Sequence, residues 1–145
     1  MLRSTLPTAA TAAFGVFFLF AATAGHAETI TYKASMSAAE ETPPTDSKGT
    51  GTVQATYDTA SKKLTWTVTY SGLTGPATAA HFHGPAPVGK AAGVEVAAPG
   101  ADKSPFEGSA TLTDAQAKDF ADGLIYFNIH TAANKGGEIR GQLVK

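Results

Sequence analysis

Lys63 to Ser71 reads Lys-Leu-Thr-Trp-Thr-Val-Thr-Tyr-Ser, and its unbroken two-residue alternation constrains the fold more than any other stretch of the chain. Successive side chains of a strand point to opposite faces. Leu64, Trp66, Val68 and Tyr70 therefore share one face, and Lys63, Thr65, Thr67 and Thr69 the other. β-Branched and aromatic residues suit such a pleated, half-buried surface. The same period returns over 29–37, with Ile30, Tyr32, Ala34 and Met36 on one side. It returns again over 51–57, 78–83, 106–112, 124–131 and 138–144, with a short strand expected at Val94 to Val96. Turn-forming clusters separate the runs, among them Asp58 to Lys62, Gly72 to Pro76 and Asn134-Lys135-Gly136-Gly137. The period changes once. Thr113-Asp114-Ala115-Gln116 is a capping box, Ala117, Phe120 and Ala121 follow at helical spacing, and Gly123 suits the position after a helix. The pattern predicts an antiparallel β-sandwich or barrel with one short helix near residues 114–122. Its core is expected to hold Leu64, Trp66, Val68, Phe82, Phe106, Leu112, Phe120, Ile125, Phe127, Ile129, Ile139 and Leu143.

Residues 1–27 stand apart. Arg3 supplies a positive start, Ala12 to Ala24 is apolar, and small residues follow, with cleavage expected after Ala24 or Ala27. That is the build of a signal peptide; the apolar run is short of the ~20 residues a spanning helix needs. The mature chain, 28–145, has the length of one domain and is expected in the periplasm or secreted, with no membrane span once the signal is removed. The sequence contains no cysteine, so neither disulfides nor thiolate ligands are available. Its 11 basic and 12 acidic residues nearly balance and do not cluster, which argues against nucleic acid or an anionic membrane as partner. The pair Glu40-Glu41 reads as a solvated part of the loop over 39–48.

Chemistry concentrates in Ala80-His81-Phe82-His83-Gly84-Pro85 and in His130. If Phe82 turns inward, His81 and His83 share the outer face. If Ile125, Phe127 and Ile129 turn inward, Tyr126, Asn128 and His130 face out. Should the two strands be neighbours, three imidazoles meet beneath the Gly/Pro-rich loop 84–105. Neutral imidazole is the commonest protein metal ligand and suits zinc, copper, iron and nickel. A fourth ligand is expected from water or from Glu138, Glu95 or Asp102. In the competing account, His83 and His130 donate to loop carbonyls and pin the proline-rich segment without any ion. His26 belongs to the signal region. Lys135-Gly136-Gly137-Glu138-Ile139-Arg140 joins strand to strand, so it is a tight turn and not a phosphate loop. Glu138 and Arg140 are expected to share a face and to pair or to brace the histidine loop.

The stretches Ala80-His81-Phe82-His83-Gly84-Pro85-Ala86 and Gly123 to Leu143, including Tyr126-Phe127-Asn128-Ile129-His130-Thr131 and Gly137-Glu138-Ile139-Arg140-Gly141, resemble the CHRD domain. That domain is named from chordin, an extracellular antagonist of bone morphogenetic proteins, and occurs in many bacterial secreted proteins. The resemblance covers nearly all of 28–145. It implies an all-β extracellular domain of the single-domain bacterial type and no established activity. A second resemblance is to copper/zinc superoxide dismutases, whose Greek-key β-barrel carries a His-x-His, a later copper histidine and an anion-guiding arginine near the C-terminus. His81, His83 and His130 match the first two features and Arg140 loosely matches the last. The segment 84–106 has no histidine, so the bridging and zinc ligands are missing, as are the disulfide cysteines.

The expectation is thus an all-β, antiparallel Greek-key sandwich or barrel acting as an exported binding module. Its candidate mononuclear site uses His81, His83 and His130, with copper first and zinc second. The alternatives are a copper-only, superoxide-dismutase-like enzyme with Arg140 guiding the anion, and a metal-free structural or adhesion module of the cell envelope.

Overall fold

The computed structural model describes residues 27–145, so the signal-peptide reading of 1–27, and His26 with it, lies outside the described residues except for Ala27. Eight strands form one antiparallel sheet: β1 (Thr29–Ser37), β2 (Thr50–Asp58), β3 (Lys63–Ser71), β4 (Ala77–His83), β5 (Val94–Ala97), β6 (Phe106–Thr111), β7 (Tyr126–Thr131) and β8 (Ile139–Gln142). Their spatial order is β5-β4-β7-β8-β1-β2-β3-β6. The sheet curls into a nearly closed barrel whose two ends, β5 and β6, are not paired with each other. The meander β1-β2-β3 is local. The connections from β3 to β4 and from β6 to β7 cross to non-neighbouring strands, and these crossings give the Greek key.

Every residue expected in the core is buried, from Leu64, Phe82, Ile125, Phe127, Ile129 and Ile139 at 0 % exposure to Trp66 and Phe106 at 3 %. Phe82 is the centre of an aromatic cluster. Its ring lies 4.7 Å from Phe127, 5.2 Å from Trp66 and 5.6 Å from Phe120, edge-on or tilted to each. Burying one such ring is worth roughly 1.5–3 kcal/mol. Moving the strand by one residue would exchange that ring for a histidine, so the register of β4 is strongly specified.

The helix α1 spans Asp114–Ala121 and begins with the expected capping box: Gln116 N–H donates to Thr113 Oγ1, and Thr113 N–H to Gln116 Oε1. Phe120 is its buried residue, packed on Phe82 and Tyr32. The Gln116 amide also donates to the Glu95 carbonyl. The helix therefore blunts the free edge of β5, a common way to keep an unpaired strand from recruiting another chain.

The outer face of the barrel departs from expectation on one side. Over β1, β2, β3 and β6 the outward positions are exposed or partly so: Thr31, Lys33, Thr52, Gln54, Thr65, Thr67, Thr69 and Glu107. Over β4, β7 and β8 they are buried or, as at His81, His130 and Gln142, half-buried. Tyr126 is 3 % exposed, Asn128 2 % and Arg140 2 %. Residues 38–47, 84–93 and 132–138 fold back over this face and form a second, polar layer. The pair Glu40-Glu41 is split by that folding. Glu40 stays exposed, whereas Glu41 is buried at 7 %, because the loop enters the covered face there; it was expected to be solvated.

Candidate metal centre

The histidines reach one place through strand pairing. β4 and β7 are antiparallel neighbours, with His81 opposite Asn128, His83 opposite Tyr126 and Ala79 opposite His130. With Phe82 and Ile129 held inward, all three imidazoles are forced onto the covered face. One ring nitrogen from each lies within 4.8 Å of the others, and no Asp or Glu joins this cluster among the described residues. His83 is buried; His81 and His130 are half-buried.

Hydrogen bonding fixes which nitrogens are free. His83 Nδ1 lies 3.0 Å from the Ala92 carbonyl oxygen and His130 Nδ1 lies 2.9 Å from that of Lys135. A carbonyl only accepts, so both Nδ1 atoms carry the proton, and each neutral ring keeps its lone pair on Nε2. His81 Nδ1 is 3.1 Å from His130 Nε2 and supplies the proton in that contact. His83 Nε2 is buried with no hydrogen-bond partner. The carbonyl bonds expected in the metal-free account are present. They tie down the loops, and a bond of the same kind is what orients a histidine when it ligates a metal. His81 can join as a ligand by moving its proton to Nε2.

Electrostatics favours the neutral form of His81 and His83. Burial lowers the pKa of His83, helped by His130 and opposed by the Ala92 carbonyl. Burial also lowers that of His81, and the neighbouring His130 and His83 add to it. A metal ligand must be unprotonated, so both shifts favour the ligating form.

The surrounding residues explain how the site is held. Gly84 follows His83 because a Cβ there would stand 2.5 Å from Ile125 Cδ1 and 2.9 Å from the Leu124 carbonyl oxygen. The Tyr126 ring lies parallel to His83, 4° from coplanar at 5.0 Å, and its hydroxyl donates to the Ala92 carbonyl and accepts from the Ala92 amide. Tyr126 therefore sets both the ring plane of His83 and the loop segment it donates to. The Lys135 carbonyl is placed by the 132–138 turn. There Asn128 Nδ2 donates to the Gly136 carbonyl, and Gly137 takes a φ of 132°, where a side chain would strike the Glu41 carboxylate.

Three expectations are corrected. Glu138 is no metal ligand. It is 0 % exposed, and its carboxylate accepts from the hydroxyls of Ser47, Thr74 and Thr131, the Thr74 amide and the Asn134 side chain. Burial alone would raise its pKa, but those donors outweigh it and hold the pKa at about 2. Its place just before β8 puts it amid the hydroxyls of Ser47, Thr74 and Thr131, a contact that spacing does not reveal. Glu95 and Asp102 are likewise outside the cluster. Glu138 and Arg140 do not pair. Arg140 instead lays its guanidinium 3.5 Å over the Tyr126 ring and donates to Thr42 Oγ1 and Gln142 Oε1. At 2 % exposure it is not placed to draw an anion in from solvent. Tyr126 and Asn128, read only as outward-facing, are the supporting residues that sequence reasoning missed. The signal available was their shared parity with His130.

A comparison with curated proteins finds no match, and one with solved structures finds none. Residues 32–143 match the family model described as the CHRD domain. The match includes all eight strands but the first residues of β1, the three histidines and the loops that cover them, so the chain belongs to the CHRD domain family.

Proposed function

We propose that this protein is an exported binding module that holds one metal ion on Nδ1 of His81 and Nε2 of His83 and His130, with copper the first choice and zinc the second. The observation that carries the reading is the buried, unpartnered Nε2 of His83. A buried polar atom without a partner costs about 1–3 kcal/mol, and a metal ion is the partner that also satisfies the two nitrogens beside it. A three-nitrogen site leaves a further position for water or a small ligand, as in metal sites that exchange what they hold. A copper ion there would supply Lewis acidity and an accessible change of valence. The chain's own part is to keep three lone pairs converged and the face covered.

Metal analysis of the mature protein, purified from the export compartment with copper and zinc supplied, tests this. We expect about one ion per chain in the wild type and at least a tenfold loss of affinity in His81→Ala and His130→Ala. Equal, negligible metal in all three proteins would remove the reading. Export itself is tested by the mass of the mature N-terminus, expected to start at Gly25 or Glu28.

The metal-free module has one observation in its favour: the bond between His81 and His130, with the two carbonyl bonds, already links the two strands to both loops. The same metal analysis decides between them. A superoxide-dismutase-like activity keeps the barrel and the three histidines but lacks an exposed guiding arginine.

A further inference from the structure

Arg140 is a buried cation with no carboxylate at ion-pair distance; the ion pairs among the described residues involve only Lys62 with Asp114 and Lys118 with Asp122. A buried charge of this kind is costly unless something compensates it. Its hydrogen-bond acceptors are neutral: Thr42 Oγ1 at 3.2 Å and Gln142 Oε1 at 3.4 Å. The carboxylate whose field it feels is Glu41, whose own pKa is pushed up by burial. What Arg140 does contact closely is the face of Tyr126, with Cζ 3.5 Å from the ring centroid.

Strand order says what lies beyond that ring. β7 sits between β4 and β8. His83 approaches Tyr126 from β4 and Arg140 from β8, so the phenol is sandwiched between guanidinium and imidazole. A permanent positive charge therefore stands one aromatic ring behind a candidate metal ligand, in a covered, low-dielectric layer. Such a charge opposes a dication more than a monocation. At roughly 9 Å and an effective dielectric of about 20, each extra unit of charge on the ion is disfavoured about twentyfold in binding constant.

We infer that Arg140, acting through Tyr126 as a positioning residue, sets the charge preference of the three-histidine site, favouring Cu(I) over divalent ions such as Zn(II). This rests on the metal reading above and adds which ion the covered face selects.

The test uses the mature full-length protein and the ions themselves, with affinities for Cu(I) and Zn(II) measured by competition against chromophoric chelators. The readout is the ratio of the two dissociation constants. Arg140→Gln is expected to move that ratio about twentyfold toward Zn(II), while Arg140→Lys, which keeps the charge, stays within about threefold of wild type. A site that had merely loosened would lose both affinities together and leave the ratio unmoved, which overturns the inference. So does a lysine variant that shifts as far as the glutamine one. A wild type that binds neither ion overturns the metal reading itself, and this shows before any variant is compared. Should Arg140→Gln fail to fold, Glu41→Gln removes the opposing charge nearby and must move the ratio toward Cu(I). A ratio that stays put or moves toward Zn(II) in that variant counts against the inference.

Discussion

The two halves of the barrel's outer surface obey the same alternation and end up in different environments. On β2 and β3 the outward residues are a threonine array open to solvent, with Thr52 and Thr69 hydroxyls 2.8 Å apart. On β4, β7 and β8 the outward residues His83, Tyr126, Asn128 and Arg140 are buried beneath loops, and His81, His130 and Gln142 are half-buried. The first half makes contacts that water could replace. In the second, each polar group needs a protein partner, and three of the four buried side-chain atoms that lack one among the described residues, His83 Nε2, Asn128 Oδ1 and Glu41 Oε1, lie there; the fourth, Trp66 Nε1, is on β3. Strand parity separates inside the barrel from outside it. It does not separate dry from wet, because that depends on what folds over the sheet.

This contrast can be broken by mutation. The largest effect is expected from Glu138→Ala, which strands the donors of Ser47, Thr74, Thr131 and Asn134 in the covered layer. Each buried group left unpaired costs about 1–3 kcal/mol, so a loss of about 3 kcal/mol or more is expected in urea unfolding. A change below about 1 kcal/mol would mean that the layer is wetter than described.

The same carboxylate sharpens the contrast through pH. Its folded-state pKa of about 2 lies below its ordinary 4.5. The unfolded chain thus binds the proton more readily. The stabilisation from Glu138 is fully present above pH 4.5 and is lost as pH falls toward about 2. Acid unfolding of Glu138→Gln should be flatter across that window than that of the wild type; parallel curves would contradict the assignment.

A smaller effect is expected from Tyr126→Phe. It keeps the ring between His83 and Arg140 but removes both hydroxyl contacts to Ala92. The cost should be about 1 kcal/mol, with faster amide exchange over the 84–93 loop and little change at β2. Uniform exchange across the barrel would show that the loop is not held there. The smallest effect is expected from Thr67→Ala on the open face, within about 0.5 kcal/mol in the same unfolding assay. A loss as large as that of a covered residue would erase the distinction between the two halves.

The fold was readable because it depends on periodicity. Leu64, Trp66, Phe82, Phe127 and Ile129 announce their parity, and the capping box at Thr113 and Gln116 announces the helix. The site was readable in its ligands and not in its support. His81, His83 and His130 follow from parity once β4 and β7 are neighbours. The carbonyls of Ala92 and Lys135 come from loops whose sequence carries no sign of which backbone atom points inward. Glu138 was misplaced for the same reason: its nearness to Arg140 in sequence suggested an ion pair, whereas Ser47 and Thr74, far away in the chain, hold it.

The sequence by itself determined the strands, the face each residue takes and the composition of the core, since alternation is a local property of an extended chain and a buried aromatic pins its register. Only the tertiary structure decided that one outer face would be covered, that a glutamate expected in solvent would lie inside, and that an arginine would stack behind a histidine's neighbour. Those outcomes depend on how Greek-key crossings bring distant loops onto one patch of sheet. Burial of a polar side chain is set by that closure and not by its place in the pattern.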